Sequence, residues 1–405
     1  MKFTEFGFEA QLQEGLDMMG FVKPTPIQEQ AIPAIKGGQD MIACAQTGTG
    51  KTAAFILPIL NDLCKEKSNN KVNTLIIAPT RELAQQIDQQ IEGFSYFTNS
   101  SSFPVYGGGS GDDFDAQKKA LVNGTDIIIS TPGRLMSHMM FDYFDTSGIK
   151  HFILDEADRM LDMGFYDDIM AIAKKLPEKR QNLLFSATMP PKIRMLANKI
   201  LTDPVSINIA ISKPAAGILQ ATYLVHNYQK IPLIESLLKG KDLNHILIFA
   251  STKKNVREIT RNLNRAGIPA ESIHSDLEQA QREDVLLKFK SKEVTILVAT
   301  DVLSRGIDIK GIELVINFEV PRDAEDYVHR IGRTARADLK GTAITFINSD
   351  DCDSFMKIEE LIEKEVPKLP LPEGFEKGPE YISKRKKKGS FNKNNKFKKR
   401  GPYRR

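Results

Sequence analysis

The residues with the most definite chemistry lie in one stretch of the chain, Ala45-Gln46-Thr47-Gly48-Thr49-Gly50-Lys51-Thr52. The stretch follows the apolar run Met41–Ala45 and opens a helix-like run at Ala53. Its glycines let backbone N–H groups close around phosphate oxygens, and a helix N-terminus adds a favourable dipole. Lys51 would reach the β- and γ-phosphates of a nucleotide, and the Thr52 hydroxyl would face Mg²⁺. The spacing predicts a phosphate-binding loop, although the usual pattern has glycine at Ala45; the alternative is a glycine turn without a ligand.

An acidic tetrapeptide, Asp155-Glu156-Ala157-Asp158, follows a second apolar run, His151–Leu154. An acid at the carboxyl end of a buried strand can hold Mg²⁺ near the loop lysine, and its neighbour can orient or deprotonate water. These roles fall to Asp155 and Glu156. The alternative is an acidic helix N-terminus, which the helix dipole stabilises without a ligand. That alternative does not explain the position directly after a buried strand.

Short apolar runs alternate with helix-like stretches such as Arg81–Phe94 in the first half, and the second half repeats the scheme. The runs are Met41–Ala45, Thr74–Ala78, Asp126–Ser130, Phe152–Leu154, Asn182–Phe185, His245–Ala250, Thr295–Ala299, Leu314–Phe318 and Thr342–Ile347. This pattern predicts α/β domains, each with a parallel sheet covered on both faces. We expect a first domain at 1–205, a linker at 206–219, a second domain at 220–365 and a tail at 366–405.

Only the first half contains a glycine loop. The first apolar strand that we predict in the second half ends in Ser251-Thr252-Lys253-Lys254, which has no glycine. If the halves are related, the contrast predicts that two domains share one nucleotide.

Composition points to a cytoplasmic protein without a membrane anchor. The chain has 405 residues, too many for one compact core, and 41% of them are hydrophobic. Its three cysteines, Cys44, Cys64 and Cys352, lack disulfide or metal spacing, and the N-terminus lacks a signal peptide. No run reaches the ~18 apolar residues of a membrane span.

The net charge of +4 comes from the C-terminus. Residues 383–405 contain twelve Lys or Arg and no acid, whereas residues 1–382 contain 44 basic and 52 acidic residues. The tail also contains Gly, Ser and Asn, with Phe391, Phe397 and Tyr403 between them. This composition predicts a disordered segment. It favours an RNA tether whose cations neutralise phosphates and whose rings stack on bases; a solubilising tail and a nuclear address are the alternatives.

Further motifs follow in a fixed order. They are Pro24-Thr25-Pro26-Ile27-Gln28, Pro79-Thr80-Arg81-Glu82-Leu83-Ala84, Gly107-Gly108, Thr131-Pro132-Gly133-Arg134, Ser186-Ala187-Thr188, Phe249-Ala250-Ser251, Ala299-Thr300-Asp301 through Arg305-Gly306-Ile307-Asp308, and His329-Arg330-Ile331-Gly332-Arg333-Thr334-Ala335-Arg336. With these motifs, the phosphate loop and the acidic tetrapeptide, the sequence resembles the DEAD-box RNA helicases over nearly everything before the tail. The short core and basic tail are most similar to the bacterial RhlE-like branch. Ser275 and Ala335 depart from the family, which often has glycine at both positions.

The resemblance implies ATP and Mg²⁺ as cofactors. The residues that it assigns to ATP are Phe21, Thr25, Gln28, Ala45, Gln46, Thr47, Gly48, Thr49, Gly50, Lys51, Thr52 and Asp308, with Thr52 and Asp155 as metal ligands. The catalytic set is Lys51, Asp155, Glu156, Arg333 and Arg336, the last two as arginine fingers of the second domain. A Gln side chain can donate to and accept from an adenine edge, which guanine would not match. The alternative for Gln28 is a polar helix N-terminus. For Arg333 and Arg336 it is a solvated basic face, and for Asp308 it is an ordinary turn aspartate.

The resemblance also implies sequence-independent binding of single-stranded and duplex RNA. The residues concerned are Thr80, Arg81, Gly108, Thr131, Arg134, Ser251, Thr300, Arg305 and Gly306. Their hydroxyl, backbone N–H and guanidinium groups favour the RNA backbone over the bases, and the arginines either meet phosphates or brace the loops. Ser186–Thr188 would couple ATP to RNA.

The implied architecture is two tandem RecA-like parallel-sheet domains and a disordered basic tail. ATP would close a cleft between the domains and bend one RNA strand out of a duplex. This predicts a monomeric ATP-dependent RNA helicase that locally unwinds RNA duplexes or remodels RNA–protein complexes, with ribosome-assembly or RNA-decay proteins as partners. The alternatives are an RNA chaperone or clamp, a DNA helicase or translocase, and a non-enzymatic scaffold.

Overall fold

The computed structural model describes residues 1–45, 48–66, 70–108, 111–209, 217–240, 245–300, 312–321, 323–334 and 341–383. These described residues divide into two compact units, 1–209 and 217–383. Each unit is built on a parallel sheet in which seven strands are described.

The first unit has a seven-stranded sheet with the order β3-β4-β2-β5-β6-β1-β7. Its strands are β1 Met41–Cys44, β2 Thr74–Ile77, β3 Ser102–Val105, β4 Ile127–Ser130, β5 His151–Leu154, β6 Gln181–Ser186 and β7 Val205–Asn208. Its helices are α1 Ala10–Met18, α2 Pro26–Lys36, α3 Lys51–Lys65, α4 Arg81–Phe94, α5 Gly111–Asn123, α6 Pro132–Met139, α7 Ala157–Asp162, α8 Tyr166–Lys175 and α9 Pro191–Ile200, with a short 3-10 helix at Phe3–Phe6.

Alternate side chains of these strands enter two separate cores. Ile76 and Ile153 pack with α1 to α4 on one face of the sheet, whereas Leu75 and Phe152 pack with α5 to α9 on the other. Since successive residues of a strand point to opposite faces, a sheet covered on both sides needs strands that are apolar throughout. This explains the short apolar runs of the sequence.

The second unit has strands β8 Ile218–Leu224, β9 Ile246–Phe249, β10 Glu271–Ile273, β11 Ile296–Ala299, β12 Leu314–Asn317, β13 Gly341–Ile347 and β14 Lys368–Leu369. Its described helices are α10 Lys230–Leu238, α11 Lys253–Arg265, α12 Gln279–Lys290, α13 Ala324–Ile331 and α14 Cys352–Leu361, with a short 3-10 helix at Asn227–Gln229. The prediction of parallel α/β domains is confirmed.

The strand order of the second sheet, β10-β11-β9-β12-β13-β8-β14, repeats that of the first sheet strand by strand. The counterpart of β1 is therefore β8, and the counterpart of β2 is β9. The prediction that β9 is the first strand of the second half is therefore wrong, because the polar residues of β8 hide that strand in the sequence. The residues after β8, Val225-His226-Asn227, also lack glycine, so the contrast between the halves persists.

Elements of both sheets lie beyond the domain limits drawn from the sequence. β7 continues the first sheet to Asn208, inside the range 206–219 assigned to the linker. Within 366–405, assigned to the tail, β14 pairs in parallel with β8, and the Tyr381 hydroxyl donates to Glu359 Oε2 at 2.6 Å. The part of the predicted tail beyond residue 383 lies outside the described residues.

None of the described helices has the length and apolar character needed to cross a bilayer.

Candidate functional site

The predicted phosphate-binding loop joins β1 to α3. Gly48 and Gly50 have φ values of 83° and 89°, in the left-handed region that glycine adopts without strain. Helix α3 begins at Lys51, whose side chain is only 6% exposed. Its Nζ has no hydrogen-bond partner among the described residues. Because a buried ammonium without a partner is costly, Lys51 fits a site that receives an anion.

Two buried carboxylates follow β5. Asp155 Oδ1 accepts a hydrogen bond from the Glu156 N–H at 2.9 Å, and burial raises the pKa of Asp155 to about 6 although the charge of Lys51 lowers it. Glu156 accepts from Arg159 Nη1 at 3.2 Å and has a left-handed backbone, with φ 49°. Such a backbone in a non-glycine residue costs roughly 1 kcal/mol or more and is typical of functional sites.

The turn Ser186–Thr188 connects the end of β1, which leads into the phosphate loop, to the acidic tetrapeptide. It follows β6, which lies between β1 and β5 in the sheet. On one side, the Cys44 thiol donates to the Ala187 carbonyl at 3.3 Å. On the other, the N–H and the hydroxyl of Thr188 both donate to Asp158 Oδ2 at 3.0 Å. A displacement of β1 or of the acidic tetrapeptide would therefore move this turn.

Gln28 ties α2 to the phosphate loop. Its Oε1 accepts from the Thr25 N–H at 2.8 Å, and its Nε2 donates to the Gly50 carbonyl at 3.1 Å. A Cβ at position 50 would lie 2.4 Å from Gln28 Nε2, so this contact requires glycine. An amide has two donor hydrogens and two acceptor lone pairs, so Gln28 keeps one of each for a ligand.

Phe21 lies close to Gln28 in the chain and packs against the aromatic core of the first unit. Its ring meets Phe3 and Phe94 edge-on, with centroid separations of 5.4 and 5.2 Å. The ring is partly exposed, so it can offer a surface to a base while its other contacts hold it in place.

Three predicted RNA residues come together after β2 and β3. The Thr80 hydroxyl caps α4 by accepting from the Leu83 N–H at 3.3 Å. Gly108 has φ 93°, and a Cβ there would lie 2.0 Å from Arg81 Nη1. The Arg81 guanidinium therefore lies directly against this glycine, in space that the side chain of any other residue type at position 108 would occupy.

Arg134 braces the neighbouring loop. Its Nε donates to Gln117 Oε1 at 2.6 Å, and its guanidinium lies 4.7 Å from the centroid of the Phe114 ring. Burial, together with the charge of Arg134, lowers the pKa of His138 to about 4, so this histidine is neutral near pH 7. Thr131, the residue before α6, donates its N–H to the Val105 carbonyl at 3.1 Å.

In the second unit, Glu319 holds the predicted RNA residue Ser251. The carboxylate accepts from the Ser251 N–H at 2.9 Å and from its hydroxyl at 3.3 Å. Arg330 Nη1 donates to the Glu319 carbonyl at 3.0 Å. Arg333 is buried, and Thr300 directly follows β11.

The remaining predicted site residues lie outside the described residues. They are Gln46, Thr47, Arg305, Gly306, Asp308 and Arg336. Among the described residues, no group of three or more His, Cys, Asp or Glu could hold a metal. Mg²⁺ with a nucleotide takes most of its ligands from phosphates and water, so Thr52 and Asp155 fit its requirements.

Three side chains that support the site were missed in the sequence. Gln117 braces Arg134, Asp158 anchors Thr188 and Glu319 holds Ser251. Glu319 could have been found in the sequence, because it closely follows a buried strand. The same criterion selected Asp155. Gln117 lies within a helix and carries no such signal.

A phosphate-binding loop after one strand of a parallel sheet, with carboxylates after a nearby strand, defines a P-loop nucleotide-binding protein. Residues 25–196 match the sequence profile of the DEAD/DEAH box helicases, and residues 229–338 match that of the helicase conserved C-terminal domain. The chain is 42% identical to the ATP-dependent RNA helicase CshA of Listeria monocytogenes, over 92% of this chain and 71% of that protein. The chain belongs to the DEAD/DEAH box helicase family.

Solved structures are similar over most of the chain. S. cerevisiae Dbp5 bound to RNA and ADP BeF3 matches with a TM-score of 0.80 and 30% identity, over 91% of this chain and 95% of that one. A DEAD box protein from the hyperthermophile Methanococcus jannaschii matches with a TM-score of 0.53 and 38% identity, over 91% and 99%. The prediction of two tandem RecA-like domains is confirmed.

Proposed function

We propose that this protein is an ATP-dependent RNA helicase, which uses RNA-stimulated ATP hydrolysis to separate RNA duplexes locally or to remodel RNA–protein complexes. The observation that carries the proposal is the buried Lys51 Nζ without a described partner, in the same unit as the buried Asp155 and Glu156. The names of its relatives support it, since CshA is an ATP-dependent RNA helicase and Dbp5 was solved with RNA.

In this proposal, Lys51 and the N–H groups of the loop hold the phosphates of ATP, while Gln28 and Phe21 hold its base. Thr52 and Asp155 hold Mg²⁺, which supplies positive charge to the phosphate oxygens. Glu156 orients the attacking water molecule, and its strained backbone fixes the direction of the carboxylate.

The second unit contributes positive charge to the reaction. Arg333 and Arg336 stabilise the charge that develops on the transferred phosphoryl group, and Asp308 binds the ribose. These three roles follow from the family resemblance. We also propose two domains joined by a linker, with the predicted limits 1–205 and 220–365 extended to include β7, which ends at Asn208, β8, which begins at Ile218, and β14.

RNA binding involves the backbone rather than the bases. Thr80, Thr131, Ser251 and Thr300 offer hydroxyls, Gly108 and Gly306 offer close N–H groups, and Arg81, Arg134 and Arg305 offer positive charge. The hydrogen bond from Arg134 to Gln117 supports the bracing role of this arginine. Binding of this type does not depend on base identity.

The test compares ATP hydrolysis with poly(U), with poly(dU) and without nucleic acid, and follows release of a short RNA duplex. We expect stimulation by poly(U) alone and strand release with ATP. Lys51→Ala should abolish both activities, whereas Lys65→Ala, at the exposed far end of the same helix, should keep them. Equal stimulation by DNA would contradict the proposal, and release without turnover would identify an RNA clamp.

The finer assignments are proposals too. We place the protein in the RhlE-like branch because of its short core and basic tail, whereas the Listeria monocytogenes relative reported above is named CshA. We further propose a cytoplasmic monomer that works with ribosome-assembly or RNA-decay proteins. Light scattering would test the monomer, and crosslinking in cells would identify the bound RNA and proteins.

A further inference from the structure

The solvent-facing side of α11 concentrates positive charge. Five of the thirteen residues in Lys253–Arg265 are Lys or Arg, and Glu258 is the one acid in this sequence. The buried residues Val256, Ile259 and Leu263 fix which side of the helix faces the core.

Three of the cations share the opposite side of the helix. With 3.6 residues per turn, Lys254, Arg261 and Arg265 point away from the buried side, and all three are exposed. Their Cα atoms span eleven residues, or about 16 Å at 1.5 Å per residue. We call these three residues the α11 track.

The other two cations of the helix share one carboxylate. Asp276 pairs with Lys253 at 2.9 Å and with Arg257 at 2.5 Å. In the part of the chain that the structure describes, no ion pair involves Lys254, Arg261 or Arg265. The α11 track therefore presents its charge to solvent.

The stability of α11 does not explain the charge at its start. Lys254 lies in the first turn, where the positive end of the helix dipole disfavours a cation. Arg265 lies in the last turn, where the dipole favours one. A ligand with repeated negative charges would account for both positions.

We propose that the α11 track binds phosphates of the RNA strand that continues beyond Ser251. This inference rests on the proposed function, because Ser251, two residues before the first residue of the helix, is the assigned RNA residue of this loop. The Thr252 hydroxyl caps α11 by accepting from the Asn255 N–H at 3.2 Å, and Glu319 holds both Ser251 and Asn255. A strand held at Ser251 can therefore meet Lys254 first and the two arginines further along.

RNA explains this surface better than an acidic protein does, because the track continues directly from an assigned RNA loop. A polyanion also needs no shape match, which suits long, flexible side chains. Each phosphate neutralised in a single strand releases counterions and adds about 0.7 to the slope of log affinity against log salt.

The test is binding of U6 and U15 oligonucleotides to the full chain with a non-hydrolysable ATP analogue, across a range of salt concentrations. Arg261→Gln with Arg265→Gln should weaken U15 binding and reduce its salt slope by about 1.4, for two lost phosphate contacts. U6 binding and ATPase activity at saturating RNA should change little. Gln is nearly as good a helix former as Arg, so α11 should persist.

Lys254→Gln provides an independent variant, with an expected slope reduction of about 0.7. Arg257→Gln is the matched control: it removes the same charge from the same helix, but from a residue paired with Asp276. Lys357→Gln, at an exposed position of α14, controls for net charge elsewhere.

Loss of U15 affinity in the track variants but not in the controls supports the α11 track. Equal loss in all variants would mean that only net charge matters, and equal loss of U6 and U15 would mean damage to the central site; either result overturns the track. Unchanged U15 binding also overturns it and leaves an acidic protein as the partner. A wild-type protein that binds neither oligonucleotide would refute the proposed function itself.

Discussion

Replacing Asp155 with Asn should make the nucleotide-free, metal-free protein more stable while it removes activity. Burial raises the pKa of Asp155 from 3.8 to about 6. Because one pKa unit corresponds to about 1.4 kcal/mol, this raised pKa lowers the free energy of unfolding by about 3 kcal/mol at a pH where the carboxyl group is charged in the folded protein. Asn keeps the Oδ1 acceptor that binds the Glu156 N–H, but it cannot be charged.

The predicted gain depends on pH in a definite direction. Because the pKa is raised in the folded protein, the unfolded chain releases this proton at a lower pH. The contribution of Asp155 to wild-type stability therefore falls as pH rises from 3.8 to about 6 and is constant above that. Asp155→Asn should therefore exceed wild type by about 3 kcal/mol at pH 8 and by roughly half as much at pH 5.

Hydrogen exchange in urea measures this free energy for the first unit alone. Peptides from β1 and β5 report its opening, and the chain has no Trp that would offer a fluorescence signal. EDTA keeps Mg²⁺ out of the measurement. ATPase activity, measured in separate samples with Mg²⁺ and RNA, should be lost in the variant and kept in wild type.

Asp40→Asn is the control with the opposite expectation. Asp40 is also buried, but its carboxylate accepts from the Asn182 N–H at 2.6 Å, from Asn182 Nδ2 at 3.1 Å and from the Thr202 N–H at 2.8 Å. An amide cannot accept at both ends, so this variant should be less stable than wild type. The reasoning about Asp155 is refuted if Asp155→Asn is no more stable than wild type at pH 8, or if its advantage does not shrink at pH 5.

Four further predictions follow from the site and the tail. Glu156→Gln should bind ATP and RNA normally but lose ATP turnover by about two orders of magnitude, since it keeps hydrogen bonding and loses the charge that orients water; near-normal ATPase would make Glu156 structural. Gln28→Ala should reduce the preference for ATP over GTP in RNA-stimulated hydrolysis. Equal rates with ATP and GTP in the wild-type protein would contradict the role of Gln28 in binding adenine. Gly108→Ala should displace the Arg81 guanidinium and weaken RNA binding several-fold at unchanged nucleotide affinity, measured by anisotropy. Deleting residues 383–405 should lower RNA affinity and flatten its salt dependence with ATPase at saturating RNA unchanged; an unchanged slope would leave the solubilising role.

The central strands were predictable because both of their faces are buried. The run Asp126–Ser130 became β4, Ile127–Ser130, and Thr74–Ala78 became β2, Thr74–Ile77. Edge strands gave no such signal: β3 contains the half-buried Pro104, and β7 has one buried residue in four. The polar residues within β8 also removed its strand signal, so the true counterpart of β1 could not be recognised in the sequence.

Site residues could be predicted where their chemistry depends on local spacing. Lys51 and Thr52 belong to one loop, and Asp155 and Glu156 follow one strand, so a few consecutive residues carry the signal. The residues that position the site act across the chain. Glu319 follows a buried strand, as Asp155 does, but no local pattern reveals that it holds Ser251, which lies 68 positions away in the chain.

One strand order serves two different ligand requirements in this protein. In both units the helix after the second strand is capped by a threonine of an assigned RNA loop: Thr80 accepts from the Leu83 N–H at 3.3 Å, and Thr252 accepts from the Asn255 N–H at 3.2 Å. The glycine loop follows only β1 and has no counterpart after β8. A nucleotide has one triphosphate and needs one such loop, whereas an RNA strand repeats its backbone and can use the same capped loop twice. In the proposed function, the duplicated and the unique features of the fold thus correspond to a repeating and a single ligand.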